Sequence, residues 1–154
     1  MRALEPWVEA PLQAFLAESS ARLTLLMTSS GQVVAQHGFG RSLDIMTAAA
    51  LGAGIVASTE ELARLMGGSR FEALMHQGSR QSCMLSAFST PRGRWIALVV
   101  FGPETSVGIV RLFFDDMVRQ LASAAPREPA RQTPLLAQDF EHELDASLNA
   151  LLGR

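Results

Sequence analysis

Seven apolar residues follow one another without interruption from Trp95 to Phe101. A strand with one face in water alternates apolar and polar residues, so this run predicts a central strand that is covered on both faces. Gly102-Pro103 cannot continue the strand, and Ser106 stands where a side-chain oxygen can accept the first free N–H groups of a helix that begins at Val107. The segment therefore predicts a sheet that lies between two further layers.

The remaining elements can be predicted from hydrophobic spacing and turn residues. The expected order is helix, strand, strand, helix, strand, strand, strand, helix, over about residues 6–19, 22–28, 32–37, 42–66, 71–77, 80–88, 94–101 and 107–123. Ser42 is expected to cap the long second helix, which Gly67-Gly68 should end. Because short turns join neighbouring strands, we expect an antiparallel five-stranded sheet with helices on both faces, in the α/β (α+β) class.

The chain divides into three parts by composition. Residues 1–123 form the predicted domain, and residues 124–133 are rich in Ala, Pro and Arg with few bulky apolar side chains, which is typical of a linker. Residues 134–154 recover an apolar stripe at helical spacing, formed by Phe140, Leu144, Leu148 and Leu151. This pattern predicts a separate amphipathic C-terminal helix that either docks on a partner or frays as a tail.

Charge and composition exclude several classes of function. The net charge is −2, and all 13 cationic side chains are Arg, so a nucleic-acid surface, a P-loop lysine and a Schiff-base lysine are not expected. The single cysteine cannot form an internal disulfide, and the N-terminus lacks the apolar core of a signal peptide. Since no apolar run approaches the roughly 20 residues of a membrane span, we expect a cytoplasmic chain without direct membrane insertion.

No constellation of side chains predicts catalysis by this chain. Cys83 is expected to be a small buried hydrophobic residue, and His76 could at most touch a partner. The histidines show no metal-ligand spacing, and the glycines form no phosphate-binding loop after a strand. We therefore predict no catalytic residue, no cofactor and no metal site, and a chain that is not itself an enzyme.

The long second helix carries two apolar stripes. The first, expected to lie on the sheet, is Ile45, Ala48, Leu51, Ile55, Leu62 and Leu65. The second recurs at spacings of three and four and would form the seam of a helix pair; it is Leu43, Met46, Ala50, Ala53 and Ala57. These small residues could also be covered within the domain, but in a domain of this size a second partner is the preferred explanation.

The order of elements and several local sequences resemble the Roadblock / dynein light-chain family, in particular its bacterial MglB-like branch. The similar segments are Leu62-Ala63-Arg64-Leu65-Met66-Gly67, Phe71, His76-Gln77-Gly78, Ala97-Leu98-Val99-Val100-Phe101 and Thr105-Ser106-Val107-Gly108-Ile109-Val110-Arg111-Leu112. The resemblance covers about residues 4–123 and implies the Roadblock (profilin-like) α/β/α sandwich. One departure is Ile55, which stands where many relatives have Asn.

The resemblance also implies a function. MglB-like proteins form homodimers through their long helices, bind a Ras-like small GTPase of the MglA type, and stimulate GTP hydrolysis without an arginine finger in polarity and motility control. By position, the resemblance places the GTPase-binding residues at Gly54, Ala57, Ser58, Glu61 and Arg64 of the long helix, with Phe140, Leu144, Leu148 and Leu151 as a second contact that could aid nucleotide exchange. The alternatives are a non-catalytic Roadblock adaptor in a GTPase complex and, least favoured, an enzyme or ligand sensor.

Overall fold

The computed structural model describes residues 2–3, 5–68, 70–126 and 135–153; within these ranges nothing is said of the side chains of Arg2, Leu43 and residues 135–142. The described residues form, in chain order, β1 (Arg2–Ala3), α1 (Pro6–Ser19), β2 (Leu23–Thr28), β3 (Val33–His37), α2 (Ser42–Leu65), β4 (Leu74–Gln77), β5 (Ser82–Thr90), β6 (Gly93–Phe101), α3 (Val107–Ala124) and α4 (Leu135–Leu151). The predicted order of five strands and four helices is confirmed. Only β1 was not expected.

The strands form one antiparallel sheet in the order β1-β3-β2-β6-β5-β4. The long strands β5 and β6 pair over their whole length, and β6 also pairs with β2, where Leu25 lies opposite Leu98. Strand β4 is shorter than predicted because it begins at Leu74 and not at residue 71. The sheet thus has its most apolar strands at its centre, as the run from Trp95 to Phe101 requires.

Two separate cores lie on the two faces of this sheet. Helices α1 and α3 pack side by side on one face, where Phe15 meets Phe114 edge to face at 6.4 Å between ring centroids. Helix α2 covers the other face through a smaller core that includes Leu25, Met27 and Ile96. The domain is therefore the predicted α/β/α sandwich.

Strand β6 shows why its sequence does not alternate. Trp95, Ala97, Val99 and Phe101 belong to the core under α1 and α3, whereas Ile96 and Leu98 belong to the core under α2. After the strand, the hydroxyl oxygen of Ser106 accepts a hydrogen bond from the backbone N–H of Ile109 at 3.3 Å. The predicted cap of α3 is confirmed, and it is worth about 1 kcal/mol in helices of this kind.

The ends of α2 agree with the prediction at one terminus and differ at the other. Gly67 and Gly68 have φ values of 109° and 105°, a left-handed conformation that a side chain would disfavour, so the predicted glycine end is confirmed. Ser42 is not the cap, because the helix already includes it and the extended residue before it is Arg41, whose side chain makes no capping bond. Asp44 instead places a carboxylate in the first turn, which suits the positive end of the helix dipole.

Candidate interaction surface

Helix α2 exposes a large apolar surface. Within Asp44–Leu65 the helix contains an apolar window of 18 residues, yet only 11% of that window is buried. Leu51 is 63% exposed and Leu65 is 72% exposed. By length and composition this helix could cross a membrane, so the expectation that no segment reaches a span is wrong.

The inner face of α2 explains why its large side chains point outward. Small residues face the sheet: Ala49 and Ala63 are buried, and Gly52 lies so close to it that an added Cβ would come within 3.2 Å of Met27 Cε. Because these side chains are short, the helix axis lies near the strands. Most of the bulky residues of α2 then have no room on that side, and Ile45 and Val56, which are partly buried there, are the exceptions.

The predicted sheet-facing stripe of α2 is therefore wrong at most of its positions. Ile45 and Ala48 do pack on the sheet. The other four members are exposed instead: Leu51, Ile55, Leu62 and Leu65. The prediction took the larger apolar residues as the inward ones. A set of mostly small residues has the same helical spacing and is the one that faces the sheet: Ala49, Gly52, Ala53, Val56 and Ala63.

We use the name outer face for the exposed side of α2. Its large apolar members are Met46, Leu51, Ile55, Leu62 and Leu65, and its small members are Ala50, Gly54, Ala57 and Ser58. Exposed apolar surface of this continuity is uncommon on monomeric proteins and marks a site of association. The outer face is the principal candidate for a functional surface.

The two edges of the sheet differ beside this helix. In the described part of the chain, β4 pairs with β5 alone, so its outer backbone groups are open. Phe71, just before β4, is 49% exposed and lies near the end of α2, where it lines a small cleft with Val56 and Glu60. The opposite edge, β3, is partly covered by β1. An incoming strand would thus find β4 the more accessible edge.

A surface ion pair fixes the turn between β6 and α3. The guanidinium of Arg22 donates to both carboxylate oxygens of Glu104, at 2.7 and 2.9 Å. This hydrogen bonding lowers the pKa of Glu104 and raises the pKa of Arg22. Gly102 makes room for the pair, because a Cβ there would lie 2.1 Å from an Arg22 nitrogen and 2.5 Å from Glu104 Oε2.

The predicted C-terminal helix is present as α4. Leu144, Leu148 and Leu151 are all exposed, the last at 83%, whereas the side chain of Phe140 lies outside the described residues. Of the predicted linker, residues 127–133 lie outside the described ranges, and α3 itself ends at Ala124. The apolar stripe of α4 is thus a second surface available to a partner.

The cysteine and histidines form no reactive site in the described part of the chain. Cys83 lies opposite His76 in the β4–β5 pair and is partly buried. Burial raises the pKa of the Cys83 thiol, and a hydrogen bond from the His76 backbone opposes this only in part, so the thiolate nucleophile is disfavoured. Among the described residues, no three His, Cys, Asp or Glu side chains come together as metal ligands would.

Comparison with known families agrees with this architecture. The sequence model described as "Roadblock/LC7 domain" matches residues 8–100, from α1 to near the end of β6. The chain belongs to the Roadblock/LC7 domain family. A comparison of this Roadblock chain with curated proteins finds no match.

Comparison with solved structures shows which members of the Roadblock family this chain is similar to. MglB of Myxococcus xanthus is 26% identical, with a TM-score of 0.69 over 78% of this chain and 95% of that protein. The gliding protein MglB of Thermus thermophilus is 29% identical, with a TM-score of 0.66 over 77% of this chain and 88% of that protein. A Roadblock/LC7 domain of Streptomyces avermitilis, 16% identical with a TM-score of 0.59 over 67% of this chain and 83% of that one, shares the fold. This Roadblock domain is MglB-like.

The residues predicted for the dimer do not all share one surface of the Roadblock domain. Met46, Ala50 and Ala57 are exposed on α2. Ala53 instead packs toward the core between α2 and the sheet, and the side chain of Leu43 lies outside the described residues. The structure therefore separates Ala53 from the exposed members of the predicted seam.

The residues predicted for GTPase binding on the long helix, Gly54, Ala57, Ser58, Glu61 and Arg64, are all exposed on α2. Gly54 has open space around its Cα, and the Ser58 hydroxyl donates to the Gly54 carbonyl at 2.9 Å. One turn further on, the Arg64 guanidinium is hydrogen-bonded to Glu61, which lowers the pKa of Glu61 and raises the pKa of Arg64. The pair is exposed and contributes little to stability, so both side chains can be rearranged by a partner.

Proposed function

We propose that this protein is a homodimeric regulator of a Ras-like small GTPase of the MglA type, and that it acts in the cytoplasm on cell polarity or motility. The observation that carries the proposal is the outer face of α2 in a chain whose fold and sequence are MglB-like. An apolar surface on the longest helix of a small domain needs a protein partner. We propose two such partners, a second copy of the chain and a GTPase.

The homodimer is proposed to form through the outer face of α2. Leu51, Ile55 and Leu62 offer the bulky apolar contacts, and Ala50 and Ala57 allow two helix backbones to approach closely. The open β4 edge lies on the same side as the C-terminal end of α2, so two sheets could join there as the helices pair. One MglB structure is described as having a tetrameric arrangement, which supports self-association in proteins of this type.

The GTPase is proposed to bind where the exposed polar residues of α2 meet its apolar ones. Gly54, Ser58, Glu61 and Arg64 follow one another along the exposed side of the helix, and Ala57 lies beside them. This chain would accelerate hydrolysis by ordering the switch regions of the GTPase, with the attacking water and catalytic groups supplied by the GTPase itself. Helix α4 would bind a second region through Leu144, Leu148, Leu151 and Phe140, and could affect nucleotide release.

A binding experiment tests this function. An MglA-type GTPase from the same genome is purified, loaded with a non-hydrolysable GTP analogue or with GDP, and titrated with the full chain by calorimetry. We expect two copies of this chain per GTPase and tighter binding of the GTP-analogue form. Equal and negligible binding of both forms would contradict the proposal, whereas binding without faster hydrolysis would favour the adaptor alternative.

The absence of an arginine finger can be tested in the same system. Arg64→Ala and Arg41→Ala remove exposed guanidinium groups from the two ends of α2, and Arg119→Ala on α3 serves as the control. At saturating concentration, each variant should stimulate hydrolysis nearly as well as the natural chain. A true finger contributes roughly 10³ to 10⁵ in rate, so a loss of that size from one Arg→Ala change would refute this mechanism.

A further inference from the structure

Strand β1 covers one edge of the sheet. In the described part of the chain, Arg2 pairs with Gln36 and Ala3 pairs with Ala35, so β1 lies against the outer side of β3. The first two residues of β3, Val33 and Val34, precede the residues that pair with β1. They border an open cavity of about 340 Å³ that is also lined by Phe39 and Met46. Removal of β1 would therefore leave the outer side of β3 open along its length.

The segment that carries β1 is fixed to the domain at its other end. Trp7 stacks on Trp95 with ring centroids 5.5 Å apart, and its indole N–H donates to the carboxylate of Glu5. Arg92 also lies 3.9 Å from that carboxylate, and Ala3 packs against the core. These contacts hold a strand of two residues in place, although its backbone pairing alone would be weak.

The position of β1 bears on how copies of the chain can associate. An uncovered edge strand offers unpaired N–H and C=O groups to another chain. A domain with both edges open could join a second copy at β4 and a third at β3, and two such twofold contacts produce an open chain of molecules. With one edge covered, association through the sheet stops after the first contact.

We propose that β1 guards the β3 edge, so that a second copy of this chain cannot pair with it. The competitor that β1 excludes is the β3 strand of another molecule. Strand β1 protects this edge through its backbone, because Arg2 and Ala3 pair with Gln36 and Ala35 of β3 and so occupy the positions that another strand would need. It requires neither a GTPase nor any property of α4.

Sedimentation equilibrium of the natural chain and of three variants tests this proposal. Deletion of residues 1–4 removes β1, and the double substitution Arg2→Pro with Ala3→Pro keeps the segment but removes both of its backbone donors. Arg2→Ala is the matched control, because it changes a side chain and preserves the backbone. Circular dichroism of each variant measures whether the helices remain.

We expect the deletion and the double-proline variant to associate reversibly to at least twice the mass of the Arg2→Ala chain at equal concentration. The control should have the mass of the natural chain. The guard is overturned if both variants stay folded at the control's mass, or if their larger species fail to dissociate on dilution. It is also overturned if neither variant folds, since β1 would then be a structural part of the domain.

Discussion

Replacement of Leu51 by Ala should weaken the proposed homodimer without weakening the fold. Leu51 is 63% exposed in the single chain, so about two thirds of its surface remains to be buried by a partner. Full burial of a leucine side chain is worth about 1.5–3 kcal/mol, which leaves about 1–2 kcal/mol for docking. A twofold dimer contains the residue twice, so truncation should cost about 2–4 kcal/mol.

This cost converts to a change in dissociation constant that can be measured. At 1.4 kcal/mol per factor of ten, the dimer should weaken by roughly thirtyfold to several hundredfold, toward the lower value because Ala retains one methyl group. Sedimentation equilibrium over a wide concentration range gives the constant, and thermal unfolding shows whether the fold is intact. The matched control is Leu112→Ala, a leucine 57% exposed on α3 on the opposite side of the sheet. Equal dissociation constants for the two variants would refute the assignment of the outer face to the dimer.

Three further predictions concern other parts of the chain. Ala53→Arg should lower the melting temperature because Ala53 packs toward the sheet; an unchanged melting temperature with loss of the dimer would instead place Ala53 at the interface. Arg22 lowers the pKa of Glu104 in the folded state, so the stabilisation from this pair is complete above the ordinary pKa of glutamate and is lost as pH falls through the folded pKa. Glu104→Gln should therefore lose less stability in acid than the natural chain does, as measured by urea unfolding at a series of pH values. Parallel curves of stability against pH for the two chains would contradict this. Deletion of residues 134–154 should leave the melting temperature and the dimer nearly unchanged while it reduces GTPase affinity in calorimetry, because Leu144, Leu148 and Leu151 are exposed; unfolding, or unchanged affinity together with unchanged nucleotide release, would contradict it.

The segment from Trp95 to Leu112 could be predicted because each of its features has one physical explanation. A run without alternation fits only a strand covered on both faces, and β6 contributes to both cores. Ser106 stands directly before an amphipathic stretch, and its hydroxyl caps α3. Such signals are local, so no knowledge of the tertiary packing is needed to interpret them.

The orientation of α2 could not be predicted in the same way. Two stripes on this helix have apolar side chains at helical spacing, and hydrophobicity favoured the stripe with Leu51 and Leu62 as the buried one. The distance between α2 and the sheet decides which stripe is buried, since Gly52 and Ala49 let the helix approach the sheet closely. This distance depends on the opposing residues Met27 and Leu85, which lie far away in the sequence.

Ion pairs between residues far apart in the sequence, and very short strands, could not be predicted either. Arg22 and Glu104 are 82 residues apart, and neither belongs to a motif that points to the other. Strand β1 has two residues, too few to show any periodicity, and exists because β3 offers an edge beside it. In both cases the decisive partner is brought close only by the folded sheet.

Single-turnover GTP hydrolysis tests the central claim most directly. An MglA-type GTPase from the same genome is loaded with GTP, and phosphate release is followed with increasing amounts of this chain. The account predicts a rate that rises and saturates at two copies of the chain per GTPase, with Leu51→Ala requiring higher concentrations and Leu112→Ala behaving as the natural chain. A rate that stays at the intrinsic value of the GTPase, although the two proteins bind, would contradict the claim that this protein activates its partner.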